Sequence, residues 1–374
     1  MKKVLITATV QSHIAQFHKP LIDILHKHGY EVHVAARDNL GEKNGLKLDS
    51  PDKIYNIPFD RSPFSKKNID AYKQLKKIIA ENRYDIIHCN TPMGGVLTRL
   101  AARVVRKKGV KVFYTAHGFH FYKGAPIINW LLYYPVEKYL ARHTDKIITI
   151  TEEDYLMASR KLNTKIFRIH GVGVDPLRYF PVSEEDKEMM RQDRGYSQKY
   201  FIILCTGELN KNKNQSTVIK AVAEVIKTNF DVKLLLAGNG PMEKELKELV
   251  KELGIDKNVE FLGYRTDLDK YVKISDIVVS ASFREGLGLN IIEAMLCGKP
   301  VVSSINRGHK ELVKEGKTGF LLFTKDILGF ADRILTLKKD ADLAKKMGEL
   351  GEKSVELYVF DNVKRELELI YNFK

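Results

Sequence analysis

Residues 276–304 read DIVVSASFREGLGLNIIEAMLCGKPVVSS. DIVVSAS is a short β-branched run with the composition of a buried strand. Phe283–Leu289 is a loop with glycines at 286 and 288, and Asn290–Cys297 reads as a helix stopped by Gly298 and Pro300. KPVVSS is a second strand. Strand, glycine turn, helix and strand make one βαβ unit, which demands a parallel sheet. Glycine lets backbone approach a ligand with no Cβ in the way. The free N–H groups of a first helical turn, with the helix dipole, favour an anion such as a diphosphate. Glu293 stands out, because a charged carboxylate inside an otherwise apolar helix is costly unless donors meet it. Sugar hydroxyls could be those donors, and so could a Lys or Arg from a neighbouring element.

The same alternation extends in both directions. KKVLITATV, EVHVAAR, YDIIHCN, VKVFYTAHG and DKIITIT are strands in the first half, with helices such as FHKPLIDILHKHG and GVLTRLAARVVRKKG between them. After the polar stretch VSEEDKEMMRQDRGYSQ the pattern restarts with KYFIILCTGE, followed by VKLLLAGNG, NVEFLGY, DIVVSAS and KPVVSS. The chain therefore reads as two α/β domains in tandem, residues 1–178 and 195–358. The amphipathic helix at 359–374 has no domain assigned to it by pattern alone. Doubly wound sheets hold ligands at the carboxyl ends of their strands.

Composition narrows the class. The 374 residues are 44% hydrophobic and 9% aromatic, as in a folded soluble chain. No apolar run approaches the ~20 residues of a membrane-spanning helix. MKKVLITATV loses its apolar character after about seven residues without a cleavage site, so it reads as a first strand rather than a signal peptide. Cys89, Cys205 and Cys297 are few and scattered, with neither metal nor disulfide spacing, as in a reducing cytosol. Of the net charge of +15, residues 1–180 carry +14, with 30 Lys and Arg against 16 Asp and Glu. Such a half suits nucleic acid, an anionic membrane surface or a phosphorylated ligand. No nucleic-acid-binding module accompanies the charge.

Further candidates follow strands. CTGELNKNKNQ places Gly207, Lys211 and Lys213 after FIIL, where lysines would suit phosphate neutralisation or simply form a solvated turn. LLLAGNGP is a tight turn without the third glycine of a dinucleotide fingerprint. His117 follows VKVFY and His13 follows the first strand, each a possible hydrogen-bonding or acid–base group or a plain structural histidine. Asp267 and Asp269, at a helix start, read as capping acids rather than metal ligands.

Glu285 and Glu293, separated by seven residues around GLGLNII, form the most specific element. With GELNKNKN, AGNGP, FLGYRTDL, GKPVV, the series Gly308, Glu311, Gly316 and Gly319, and the first-half stretches AHGFHF and HGVGVD, it resembles the retaining GT-B glycosyltransferases of the bacterial capsule and exopolysaccharide type. The resemblance implies two Rossmann-like domains with parallel sheets facing a central cleft, the C-terminal helix packing back on the first domain. It implies that Glu293 binds the ribose and that Gly286, Leu287, Gly288 and Leu289 offer N–H groups to the diphosphate. Glu285 would stabilise positive charge at the donor's anomeric carbon, and Lys213, beside Gly207, would neutralise the leaving diphosphate. Tyr264 and Arg265 would hold the base, His117 would contact the donor sugar, and His13 is a weaker acceptor-side candidate. Neither a metal nor another cofactor is implied. Two departures stand out: Glu208 sits where the family usually has Arg, and TATVQSH replaces a glycine-rich first loop.

The expected activity is transfer of a sugar from a nucleotide-sugar, a UDP-sugar by preference, to a glycan acceptor carried on a polyprenyl diphosphate. The expected location is the cytoplasmic face of an anionic membrane, with GFHFYKGAPIINWLLYYPVEKYLARH either the membrane-touching surface or a core helix. Rivals are a sugar-nucleotide epimerase of the same fold and a basic membrane- or nucleic-acid-binding protein without catalysis.

Overall fold

The structure, a computed structural model, describes residues 2–43 and 45–373. The chain divides into two compact units, Met1–Gly173 with Phe360–Lys374, and Val174–Val359.

The first unit is built on seven parallel strands: β1 (Lys2–Val10), β2 (Tyr30–Arg37), β3 (Lys53–Asn56), β4 (Ile86–Asn90), β5 (Lys111–Ala116), β6 (Lys146–Thr149) and β7 (Lys165–Arg168). Their order is β3-β2-β1-β4-β5-β6-β7, which reverses between β1 and β4. The second unit has six: β8 (Phe201–Thr206), β9 (Val232–Ala237), β10 (Val259–Gly263), β11 (Ile277–Ser280), β12 (Val301–Ser304) and β13 (Gly319–Leu322). Their order, β10-β9-β8-β11-β12-β13, reverses between β8 and β11. Each sheet thus has a topological switch point, where the crossover helices diverge to opposite faces and leave a crevice at the strand ends.

The central strands are apolar runs because helices cover both faces of a doubly wound sheet. Residues Val4 to Val10 of β1 and all of β4 are buried. Three strands escape the sequence reading: β3, β7 and β13. Each is four residues long, lies at a sheet edge and keeps residues partly or fully exposed. An edge strand covered on fewer sides needs no continuous apolar run, so its signal is weak.

The segment VSEEDKEMMRQDRGYSQ is not a linker. Ser183 caps the helix Glu184–Gln192 by accepting from Asp186 N–H. Arg191, buried on that helix, donates to Ile274 O at 2.9 and 2.7 Å and to Asp276 at 2.8 Å. These bonds dock the segment onto the second unit.

In the first unit, the terminal helix Phe360–Tyr371 buries Val363, Leu367, Ile370 and Tyr371. The Tyr371 hydroxyl bonds His88 Nδ1, and Glu366 accepts from the His170 N–H at 2.8 Å. The helix Ile127–Ala141 is held near its start, where Asn129 Nδ2 donates to His120 O at 3.0 Å and Trp130 Nε1 to Tyr122 O at 3.2 Å, and again near its end. Arg99, fully buried on the helix Pro92–Arg106, donates two bonds to Glu137, at 2.8 and 2.9 Å, and stacks 3.9 Å from the Tyr114 ring centroid. Such a pair is tolerable in the interior because both charges are matched by fork geometry. Trp130 and Tyr134 pack against the core around Phe121, while the other face is open: Ile127 is 74% exposed, Leu131 65% and Leu132 58%. Among the described residues no helix is long and apolar enough to cross a membrane.

Candidate active site

The second unit brings the loops after β8 and β11 together at its switch point. Lys213 Nζ lies 2.6 Å from Glu285 Oε1. The two loops are stitched by backbone: Phe283 N–H donates to Asn212 O at 2.8 Å, and Asn212 Nδ2 to Arg284 O at 2.9 Å. Asn214 sits in the left-handed region (φ 53) and ties Ala281 O at 3.1 Å to Thr324 O at 2.8 Å. Asparagine is among the few non-glycine residues that enter this region readily, which suits it to the junction.

Glycines make the junction possible. A Cβ on Gly238 would lie 2.0 Å from Gly207 O, so the AGNG turn can pack on the turn after β8 only without a side chain. A Cβ on Gly308 would lie 2.8 Å from Glu285 Cβ, so glycine there sets how close the 307–312 helix comes to the acid.

The helix after the loop spans Leu289–Leu296, one residue earlier than its sequence suggests, with Gly288 at its N-cap. Leu289 N–H already donates to Leu287 O at 3.1 Å. In the free fold that donor is thus held within the glycine turn itself. Against this turn stands His309, fully buried, a residue the sequence reading did not single out. Its Nδ1 is 2.8 Å from Ser304 O, while its buried Nε2 has no partner and would be 3.5 Å from a Cβ on Gly288. The Asn306 Nδ2 lies 3.0 Å from the same Nδ1, so either ring nitrogen can carry the proton, and the unpartnered Nε2 stands beside the glycine turn. Burial holds this histidine below its ordinary pKa and so neutral.

Glu293 does not pair with a cation directly. Burial pushes its pKa up to about 7, and the Tyr179 hydroxyl, hydrogen-bonded to it, and the nearby Arg178 moderate the rise. Arg178 itself bonds Asp269 at 2.6 Å and Thr266 O at 2.8 Å. Asp267 pairs with Arg265 through two 2.8 Å bonds, and its side chain makes no cap on the helix Leu268–Ile274. The capping role expected for these two acids is thus replaced by ion pairing, because two arginines within reach offer stronger donors than the helix N–H groups. Tyr264 and Arg265 follow β10, whose Gly263 O accepts from Gly238 N–H at 2.8 Å. Glu208, in place of the usual arginine, is exposed and accepts from Asn210 Nδ2 at 3.0 Å.

The first unit's switch point is made of neutral groups. His13 lies on the helix Gln11–Phe17 directly after β1, Asn90 ends β4, and His117 follows β5. His13 Nε2 is 3.2 Å from His117 Nε2, which is 3.3 Å from Asn90 Oδ1. Thr91, with φ 61, holds the start of the next helix, and its hydroxyl accepts from Thr9 N–H at 3.0 Å. Burial drives the His117 pKa down to about 4 and lowers His13 and His18 strongly. His18 was not anticipated, since its place depends on ring packing with a residue far along the chain rather than on any local motif: its ring lies 5.3 Å from His13 and 5.5 Å from His117.

Known proteins agree with this architecture. Residues 186–354 match the family model described as glycosyl transferases group 1, and residues 3–151 match glycosyl transferase 4-like. The chain is 42% identical over 373 residues, 99% of its length and 96% of the other, to the putative glycosyltransferase EpsD of Bacillus subtilis. The chain belongs to the group 1 glycosyltransferases. This glycosyltransferase is also 30% identical, over 73% of each chain, to the Escherichia coli UDP-Gal:alpha-D-GlcNAc-diphosphoundecaprenol alpha-1,3-galactosyltransferase. Its fold is that of the sucrose-phosphate synthase of Thermosynechococcus elongatus, with TM-score 0.81 at 19% identity and coverage of 100% and 98%. Anabaena Alr3699/HepE in complex with UDP and glucose matches with TM-score 0.78 at 22% identity over the whole of both chains. The fold class expected from the sequence, two Rossmann-like units of the GT-B type, is the one found.

Proposed function

We propose that this glycosyltransferase retains anomeric configuration and moves a hexose from a UDP-sugar to a glycan acceptor on a polyprenyl diphosphate, in cell-surface polysaccharide synthesis. The observation that carries the reading is the Lys213–Glu285 pair at the switch point of the second unit. In the free enzyme each charge neutralises the other. A bound donor offers each a better partner: the diphosphate for the Lys213 ammonium, and the electron-poor anomeric carbon for the Glu285 carboxylate. Gly286 to Gly288 leave room for phosphate oxygens, Glu293 takes the ribose hydroxyls, and Tyr264 and Arg265 border the base. His117 serves as a neutral hydrogen-bonding partner for a sugar hydroxyl, with His13 beside it. Same-face attack, in which the departing phosphate oxygen takes the acceptor's proton, needs no side-chain base and no metal or other cofactor.

The relatives' names support the donor and acceptor classes, one of them acting with UDP-Gal on a diphosphoundecaprenol-linked sugar. The apolar face of the helix Ile127–Ala141, with Lys123, Lys138 and Arg142 near it, supports docking from the cytoplasmic side onto an anionic bilayer. Nucleic acid is not a partner in this reading. Purified protein incubated with a panel of UDP- and GDP-sugars, with and without lipid-linked acceptor, should release nucleotide from one UDP-sugar, faster with acceptor. Absence of binding and turnover across the panel would overturn the proposal.

A further inference from the structure

His13, His18 and His117 form a cluster of three imidazoles whose candidate ligand nitrogens lie within 4.8 Å of one another. The His13 and His117 Nε2 atoms face each other at 3.2 Å. One proton can bridge that pair, and a proton on His117 Nε2 is also claimed by Asn90 Oδ1 at 3.3 Å. His18 Nε2 is buried with no partner at all. Each neutral imidazole has one unprotonated nitrogen, so the three rings can offer three lone pairs to one volume. Ligands held ~2.0–2.1 Å from a tetrahedral zinc lie about 3.3 Å apart, close to the spacing of the first two rings.

We infer that His13, His18 and His117 form a binding site for a borderline transition cation such as Zn²⁺, with a fourth position left open. The donor set itself decides the class. Imidazole suits zinc, copper and nickel, whereas magnesium and calcium require oxygen ligands, and the cluster contains no carboxylate. The site therefore differs in ligand chemistry from one for a hard cation that would accompany a diphosphate. It stands on the three histidines and not on the donor assignment. Only its consequence for turnover rests on the proposed function: a cation on His117 removes that ring from a sugar hydroxyl and inhibits transfer.

The test titrates the full chain with Co²⁺, reading the intense visible bands of tetrahedral cobalt, then displaces it with Zn²⁺ followed by calorimetry. One equivalent per chain is expected. His13→Gln and His18→Gln should each weaken binding at least ~10-fold, while His26→Ala, at an exposed histidine paired with Asp52, leaves it unchanged. Thermal melts of the variants establish that they are folded. Loss of His13 with binding intact, loss of affinity only in His26→Ala, or no saturable tetrahedral spectrum in the unmodified protein would each overturn the site. Inhibition of turnover by Zn²⁺ that persists in folded His13→Gln would sever the link to transfer and leave the proposed donor chemistry untouched.

Discussion

The two units share a strand order through their first six positions and differ in what they put at the reversal. In the second unit the loops after β8 and β11 deliver opposite charges, Lys213 and Glu285, at 2.6 Å. In the first unit, which carries nearly all the chain's net positive charge, the corresponding place holds His13, Asn90 and His117, all uncharged at neutral pH. Net charge therefore describes the surface a unit shows and not the chemistry at its strand ends. A charged pair suits a ligand that carries and develops charge, whereas neutral imidazoles suit hydroxyls or a soft cation.

The sharpest way to break this contrast is Glu285→Gln. The change keeps shape and removes charge, and kcat should fall about 10²–10³-fold while the melting temperature stays near that of the parent protein. An equal loss on mutating any neutral group at the other switch point would show that charge is not the distinction. Next comes Gly238→Ala. With Gly207 O 2.0 Å from the new Cβ, the AGNG turn must move, and denaturant unfolding should show a loss of about 3 kcal/mol.

A smaller effect separates the two sites by pH. Glu293 in the free enzyme titrates near 7, so a UDP-sugar's affinity should rise with pH through that value, as the carboxylate forms and can accept ribose hydroxyls. Calorimetric binding between about pH 5.5 and 8.5 reads this directly, and Glu293→Gln should flatten the curve. The sign for stability is opposite. A carboxyl raised from 4.5 in the unfolded chain to about 7 in the fold binds its proton more tightly when folded. Its contribution to stability is greatest below the unfolded value, declines as pH rises through that window and levels off above 7. Glu293→Gln should therefore gain most against the parent protein at pH 8 in thermal melts. His117, already neutral down to about 4, should add no limb to the binding curve in that range.

The smallest change expected in catalysis with soluble acceptor is that of Leu131→Glu. It replaces an exposed side chain and should leave nucleotide release unchanged while reducing co-sedimentation with anionic vesicles. Undiminished recovery on vesicles would remove the helix Ile127–Ala141 from the membrane reading.

Legibility followed burial and locality. Strands covered on both faces announced themselves as apolar runs, while β3, β7 and β13, short and at the edges, did not. The loop and helix start that hold Glu285, Gly286, Gly288 and Glu293 were readable because this part of the βαβ unit lies within nine consecutive residues. His309 and Tyr179 were not, since each acquires meaning only from what folding sets beside it: a glycine turn in one case, a buried carboxylate in the other. For Glu293 the sequence left a sugar hydroxyl and a cation as possible partners, and in the free fold a tyrosine hydroxyl holds the place.

What the sequence by itself determined is the class: two parallel α/β units, their family, and the glycine-rich loops at the strand ends of the second, because periodicity, glycine turns and motif spacing are local properties of a chain. Tertiary structure alone decided the pairings. It set Lys213 against Glu285 across 72 positions, Arg99 against Glu137, and three imidazoles around one volume. Which charges neutralise and which nitrogens stay unpaired depends on distance through space, and a parallel sheet makes neighbours of strand ends that lie far apart along the chain.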